Sequence, residues 1–212
     1  MTLINTGLQP GGSCDSDHRS RLNGFRVCVS VTTALKRGVN EREDHMRAGL
    51  ALGSNIGDRF ENLRAARNAI VDLAGVEPPI LVSPIFETDP VDCEPGAGKF
   101  WNAVLEIEFE GDAAKLLTEL REIEVSLGRS PDHPRNVSRK IDIDLLYCGE
   151  TTIESDDLHL PHPRMAQRKF VLQPLADIRP ELILPGQTKT VRELLAQTTG
   201  MAKVVALPEQ WK

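Results

Sequence analysis

Lys140-Ile141-Asp142-Ile143-Asp144-Leu145-Leu146-Tyr147-Cys148 is the most strand-like stretch of the chain. Side chains on a strand alternate between faces, so Ile141, Ile143 and Leu145 turn one way and Asp142, Asp144 and Leu146 the other. Upstream, Gly111-Asp112 opens a helix whose Leu116, Leu117, Leu120, Ile123 and Leu127 form an apolar stripe, and Gly128 stops it. Phe100 to Phe109 alternates as a strand, with Ala103, Leu105, Ile107 and Phe109 on one face and Glu106 and Glu108 on the other. Thr88 to Lys99, punctuated by Pro90, Pro95, Gly96 and Gly98, reads as a loop, and Ile80 to Phe86, after Pro78-Pro79, as a strand. Asp58 caps an earlier helix, with Glu61 three residues on and Phe60, Leu63, Arg67, Ile70 and Ala74 at helical spacing. Ala48 to Gly53 is a short apolar strand that runs into the turn Gly53-Ser54-Asn55-Ile56-Gly57. The order β-α-β-β-α-β predicts an α+β ferredoxin-like sandwich, one sheet covered by two helices. Residues 150–212 add Pro-rich connections and a helix near Val191 to Gln197 as C-terminal additions.

The 212 residues are 40% apolar and 26% charged, which excludes wholesale disorder and fits one domain with a tail. No apolar run approaches the roughly 18 residues of a membrane span. Cys14, Cys28, Cys93 and Cys148 form no C-x-x-C pair, against a zinc ribbon or disulfide scaffold, so a cytoplasmic location is the expectation. Residues 1–45, with Gly11, Gly12, Ser13, Asp15, Ser16 and Asp17 crowded together, read as a poorly structured N-terminal extension, and 46–212 as the domain. The apolar stretch Phe25 to Leu35 starts too late for a signal peptide. Net charge is −6, divided as +1 over residues 1–45 and −7 over the remainder, so the body is a poor nucleic-acid binder. Within it Arg129, Arg135, Arg139, Lys140, Arg164, Arg168 and Lys169 fall in one 41-residue stretch, a local basic patch suited to a small anionic ligand.

Asp142 and Asp144 point to one face of their strand, where like charges repel unless a cation sits between them. Magnesium is the natural candidate, since it takes carboxylate oxygens and leaves its other positions to water and phosphate. A plain exposed polar face is the alternative for D-x-D alone. Arg129, Arg135 and Arg139 precede the acidic strand closely, and guanidinium forks suit phosphate. Together they describe a site for a metal–polyphosphate complex and phosphoryl transfer; the alternative is an arginine-rich loop that balances an acidic body. No G-x-x-x-x-G-K-[ST] or dinucleotide fingerprint is present. His159-Leu160-Pro161-His162-Pro163-Arg164 cannot present its histidines on a helix, which leaves phosphate contact or ordinary turn histidines.

Ala51-Leu52-Gly53-Ser54-Asn55, Thr88 before a Pro-rich loop, Phe100-Trp101-Asn102-Ala103, Gly128-Arg129, Arg139-x-x-Asp142-Ile143-Asp144-Leu145-Leu146 and Leu160-Pro161-His162-Pro163 occur in an order and spacing that resembles the 6-hydroxymethyl-7,8-dihydropterin pyrophosphokinases, over residues 48–185. The resemblance implies transfer of pyrophosphate from ATP to the pterin hydroxymethyl group, with release of AMP, in folate biosynthesis. It implies two magnesium ions on Asp142 and Asp144, and ATP contacts from Glu124, Arg129, Arg135, Arg139, Leu145, His162 and Arg168. It implies a pterin pocket of Thr88, Asp89, Val91, Phe100, Asn102, Asn136 and Phe170. Arg129 and Arg139 would join the two aspartates in catalysis by stabilising charge on the transferring group. A monomer acting on these two small molecules, without nucleic acid or membrane, is the expectation.

The chain departs from the family pattern in two places. Asn136-Val137-Ser138 stands where Gly-Pro and a preceding tryptophan are common, and Asp89 where proline is common. Loss of a stacking aromatic, worth roughly 0.5–1.5 kcal/mol, predicts weaker pterin affinity. The rival readings are a non-catalytic ferredoxin-like nucleotide-binding regulatory domain and a different D-x-D enzyme.

Overall fold

The computed structural model describes residues 45–91, 93–129, 138–199, 203–208 and 211, all of them within one compact unit. The expected extension lies outside the described residues except for His45, which begins the first strand.

Strand β1 (His45–Ser54) leads into helix α1 (Arg59–Val71), where the Asp58 carboxylate accepts the Glu61 backbone N–H at 3.1 Å. The expected strand over Ile80–Phe86 is two strands, β2 (Val76–Val82) and β3 (Phe86–Thr88). Both pair with the long strand β4 (Phe100–Glu110). Proline has no N–H to give a ladder, and the β2 register shifts between Glu77 and Leu81, across Pro78-Pro79. Between β2 and β3 the Ser83 hydroxyl accepts the Val104 N–H at 2.9 Å, and Thr88, expected in a loop, is the buried last residue of β3.

Helix α2 (Ala113–Ser126) is capped by Asp112, which accepts the Lys115 N–H at 2.7 Å, and Gly128 past its end takes a φ of 97°, a conformation glycine adopts without strain. Strand β5 (Asp142–Cys148) follows, then a small hairpin of β6 (Ile153–Glu154) and β7 (His159–Leu160). Helix α3 (Lys169–Ile178), unexpected from the sequence, carries Pro174 inside it, and α4 (Val191–Gln197) forms where expected behind a Thr190/Glu193 capping box. Strand β8 (Val204–Ala206) closes the set.

The main sheet runs β5-β1-β4-β3-β8, with β2 also on β4, and every pairing is antiparallel. The sequential strands therefore interleave as a ferredoxin-like sheet. Leu63, Ala66 and Ile70 of α1 and Leu116, Leu120 and Ile123 of α2 pack on Leu50, Leu52, Leu105, Ile107, Phe109, Ile143 and Leu145, which form the main core. Burying each of these leucine, isoleucine and phenylalanine side chains contributes about 1.5–3 kcal/mol.

The opposite face of the sheet is covered as well. Val171, Leu172 and Leu175 of α3 and Val191 of α4 pack against Val104, Leu146 and Tyr147. Glu106, which alternation sets with Glu108 on the charged face of β4, is only 3% exposed. Its carboxylate accepts from Tyr147 Oη at 2.6 Å and from Arg179 Nε and Nη2 at 2.7 and 2.5 Å, which satisfies the charge inside the packed layer. The simple alternation expected for β5 also breaks. Leu50 pairs with Leu145 and Gly49 with Tyr147, so Leu146 is an extra residue; it keeps the face it shares with Asp142 and Asp144, as expected, and the bulge turns Tyr147 onto that same face and into the second core.

Candidate active site

The sheet pairings set one row of positions from Asp142 through Gly53 to Asn102, and the next from Asp144 through Ala51 to Val104. These residues line the face turned toward α3. Gly53 and Ala51 keep the middle of the floor low. A Cβ at Gly53 would come within 3.2 Å of Asn102 Oδ1 and 4.0 Å of Asp142 Cβ. A hollow is left with carboxylates at one end and an amide at the other. Its walls bring in Thr88, Asp89, Val91, Phe100, Arg139, Arg164, Arg168 and Phe170.

Arginines crowd the acidic end from three elements. Asp142 Oδ1 accepts from Arg129 Nη1 at 3.0 Å and from Arg139 Nη1 at 2.8 Å. Arg168, at the residue that precedes α3, approaches Asp144 Oδ2 at 3.6 Å. Glu124, buried near the end of α2, accepts the Ile143 backbone N–H at 2.7 Å and also holds Arg129 through a short bond, so the arginine is fixed behind Asp142. Burial pushes the Glu124 carboxyl up, against the pull of the Ile143 N–H and Arg129.

Asp144 is pushed up to about 6, first by burial and then by the Asp142 charge, with Arg168, Arg139 and Arg129 acting the other way. A carboxylate that resists ionisation beside a second one has the electrostatics of a cation site. Arg139 Nε is buried without a hydrogen-bond partner among the described residues. That leaves one guanidinium N–H to donate to an anionic ligand. Burial and the neighbouring Arg168 and Arg164 charges push His162 down to about 4, so it is neutral near pH 7, with Nδ1 accepting the Arg164 N–H at 3.3 Å.

At the other end Asn102 Nδ2 donates to Thr88 Oγ1 at 2.7 Å, and both residues are buried. Asn102 Oδ1, near Gly53, remains an acceptor, and the Thr88 hydroxyl keeps its own proton to donate. Phe100 and Phe170 add aromatic faces. Asp89 is exposed and stands 4.0 Å from Lys99 Nζ.

Ten of the residues expected in the site line this one hollow: Thr88, Asp89, Val91, Phe100, Asn102, Arg139, Asp142, Asp144, Arg168 and Phe170. Glu124 and Arg129 stand behind Asp142, and His162 stands beside Arg164. The Leu145 side chain lies in the main core, so only its main chain is available to a ligand. Arg135 and Asn136 lie outside the described residues.

Asn55 was missed. Its Oδ1 accepts the Arg139 N–H at 2.7 Å and its Nδ2 donates to Ser138 Oγ at 2.9 Å, which brackets the segment that carries Arg139. The turn glycines beside it drew attention to backbone freedom rather than to this side chain. Among the described residues no group of three or more His, Cys, Asp or Glu side chains could hold a metal. Asp142 and Asp144 still suit a magnesium ion that completes its shell with phosphate and water.

The family model described as 7,8-dihydro-6-hydroxymethylpterin-pyrophosphokinase (HPPK) matches residues 49–180. A Bacillus subtilis protein named 2-amino-4-hydroxy-6-hydroxymethyldihydropteridine pyrophosphokinase is 44% identical over 131 residues, covering 62% of this chain and 77% of that protein. The protein of the same name from Haemophilus influenzae is 35% identical over 150 residues, covering 71% and 91%. Among solved structures, wild-type Plasmodium falciparum HPPK-DHPS superposes with a TM-score of 0.59 at 16% identity, over 74% of this chain and 45% of that one. This chain thus spans less than half the length of that structure's chain, and the likeness to it is one of fold.

Proposed function

The chain belongs to the 7,8-dihydro-6-hydroxymethylpterin-pyrophosphokinase family, and on that premise we propose that it transfers the β,γ-pyrophosphoryl group of ATP to 6-hydroxymethyl-7,8-dihydropterin in folate synthesis. The observation that carries this reading is the single hollow with an arginine-ringed carboxylate pair at one end and the Thr88–Asn102 pair at the other, with Phe100 and Phe170 in its lining. The hydroxymethyl oxygen forms a bond to the β-phosphorus and gives up its proton to water, the bond from that phosphorus to the α,β-bridging oxygen breaks, and AMP leaves with the oxygen.

At the pterin end, Asn102 Oδ1 suits the ring amino group and the Thr88 hydroxyl suits a ring acceptor. Stacking on Phe100 or Phe170 adds roughly 0.5–1.5 kcal/mol beyond area burial. At the phosphate end, Asp142 and Asp144 would hold magnesium, two ions by family resemblance, which neutralises triphosphate charge and makes the β-phosphorus more electrophilic. Arg129, Arg139 and Arg168, now engaged with the carboxylates, would then turn their donors to phosphate oxygens, and the unpaired Arg139 Nε–H is already available. Catalysis on this account is alignment of two substrates and stabilisation of charge on the transferring group.

No helix among the described residues is long and apolar enough to cross a membrane. The proposal places a monomer in the cytoplasm, with residues 46–212 as the catalytic unit and these two small molecules, not nucleic acid, as its partners.

Measuring AMP formation from ATP and magnesium, with and without the pterin, tests the reading. Pterin-dependent AMP that collapses in Asp144→Ala is the expected result. ATP binding without AMP would instead support a nucleotide-binding regulatory domain.

A further inference from the structure

Strand β3 is three residues long, yet Thr88 at its end forms a wall of the hollow and bonds to Asn102. One edge of β3 lies on β4. The other is covered by the C-terminal strand β8, with Thr88 opposite Val204, Glu87 opposite Val205 and Phe86 opposite Ala206. The Leu207 N–H donates to Ile85 O at 2.8 Å, and Trp211 Nε1 donates to Ser83 O at 2.7 Å. Those two carbonyls lie in the connection between β2 and β3, so the tail grips the backbone that leads into the site.

Trp211 is itself clamped. Its ring packs against the main core, with the Phe60 ring 6.4 Å away and the Arg67 guanidinium 5.2 Å above it, both from α1. Such ring contacts and a half-buried indole N–H bond give this tryptophan a fixed place. Asp142, Asp144, Arg129, Arg139 and Arg168, by contrast, stand on β5, after α2, before β5 and before α3. Trp211 makes none of the hydrogen bonds that hold them.

We propose that Trp211 is a positioning residue for the acceptor end of the site: it anchors β8 on β3 and so holds the Thr88–Asn102 pair in place, while the phosphate end stands without it. The proposal rests on the pyrophosphokinase reading. When a binding-competent arrangement becomes a minor population, apparent affinity falls by that fraction and chemistry at saturation is spared. The pterin is therefore the substrate that registers the loss.

The test compares the full chain with Trp211→Ala, Trp211→Phe and a chain ended after residue 199. Pterin and Mg·ATP are varied separately, and backbone amide exchange is followed at Glu87 and Thr88. The expected result for Trp211→Ala is a pterin KM raised about tenfold, an Mg·ATP KM and a kcat at saturating pterin close to those of the full chain, and faster exchange in β3. The ended chain should show a larger change of the same kind, and Trp211→Phe, which keeps an aromatic ring but not the N–H, a smaller one. A parallel rise in both KM values, or unchanged kinetics and exchange in folded variants, overturns the proposal. Should the full chain give no pterin-dependent AMP, the functional reading fails, and the exchange of Glu87 and Thr88 decides whether Trp211 holds β3.

Discussion

Asn55, far away in sequence, holds the backbone of Arg139 beside Asp142. The Asn55 Oδ1 bond to the Arg139 N–H is 2.7 Å long, and the Asn55 N–H donates back to Arg139 O at 3.2 Å. Removing the side chain leaves the Arg139 N–H unsatisfied and frees the guanidinium to wander. Such a loss costs about 1–3 kcal/mol, so Asn55→Ala should lower kcat/KM for ATP by about tenfold or more, with a smaller effect on pterin KM. Initial-rate kinetics with each substrate varied would check this. His162 carries a pH prediction. Its pKa is depressed to about 4 by burial and by Arg168 and Arg164, against an ordinary 6.5. The unfolded chain therefore takes up this proton first on acidification. The stability of the neutral ring is fully present above about pH 6.5 and is lost as pH falls toward 4, by roughly 2–3 kcal/mol at most. His162→Asn, which keeps an acceptor for the Arg164 N–H, should flatten urea midpoints over that range; an equally steep acid decline in the variant would contradict the assignment.

At the scale of elements, the central strands were legible because their alternation and caps are local properties of the sequence. Asp58, Asp112 and Thr190 cap the helices α1, α2 and α4. Helix α3 was hidden by Pro174 in a Pro-rich stretch, although Val171, Leu172 and Leu175 carry a helical apolar face. Its burial against Val104, Leu146 and Tyr147 outweighs the hydrogen bond that Pro174 cannot make. The same hidden layer explains Glu106, which alternation sets on a charged strand face and which Tyr147 and Arg179 cover and bond. Gly49 of β1 belongs to this layer too. A Cβ there would lie 2.2 Å from Tyr147 Cε1, and that ring cannot move aside because it is buried and bonded to Glu106. Gly49→Ala should destabilise the protein by about 1–3 kcal/mol through overpacking. Equilibrium unfolding in urea would register it, and a midpoint equal to that of the parent chain would count against the packing described for Tyr147.

Across the whole molecule, the two ends of the hollow differ in how they can be read from sequence. Asp142 and Asp144 are two residues apart on one strand and Arg139 is adjacent, so local spacing reveals the charged end. Thr88, Asn102, Gly53 and Phe170 come from β3, β4, β1 and α3, and only sheet pairing and the α3 layer bring them together. Family resemblance supplied that end, and the fold gives it a physical basis in the Thr88–Asn102 bond. The central claim is that one cavity divides its work, with metal and phosphate at Asp144 and the acceptor at Asn102. Steady-state AMP formation by Asp144→Ala and Asn102→Ala, with pterin and Mg·ATP varied in turn, tests this most directly. The account predicts a collapse of kcat in Asp144→Ala, and in Asn102→Ala a raised pterin KM with the Mg·ATP KM retained. Equal losses on both substrates from Asn102→Ala, or magnesium-dependent turnover that survives in Asp144→Ala, would contradict it.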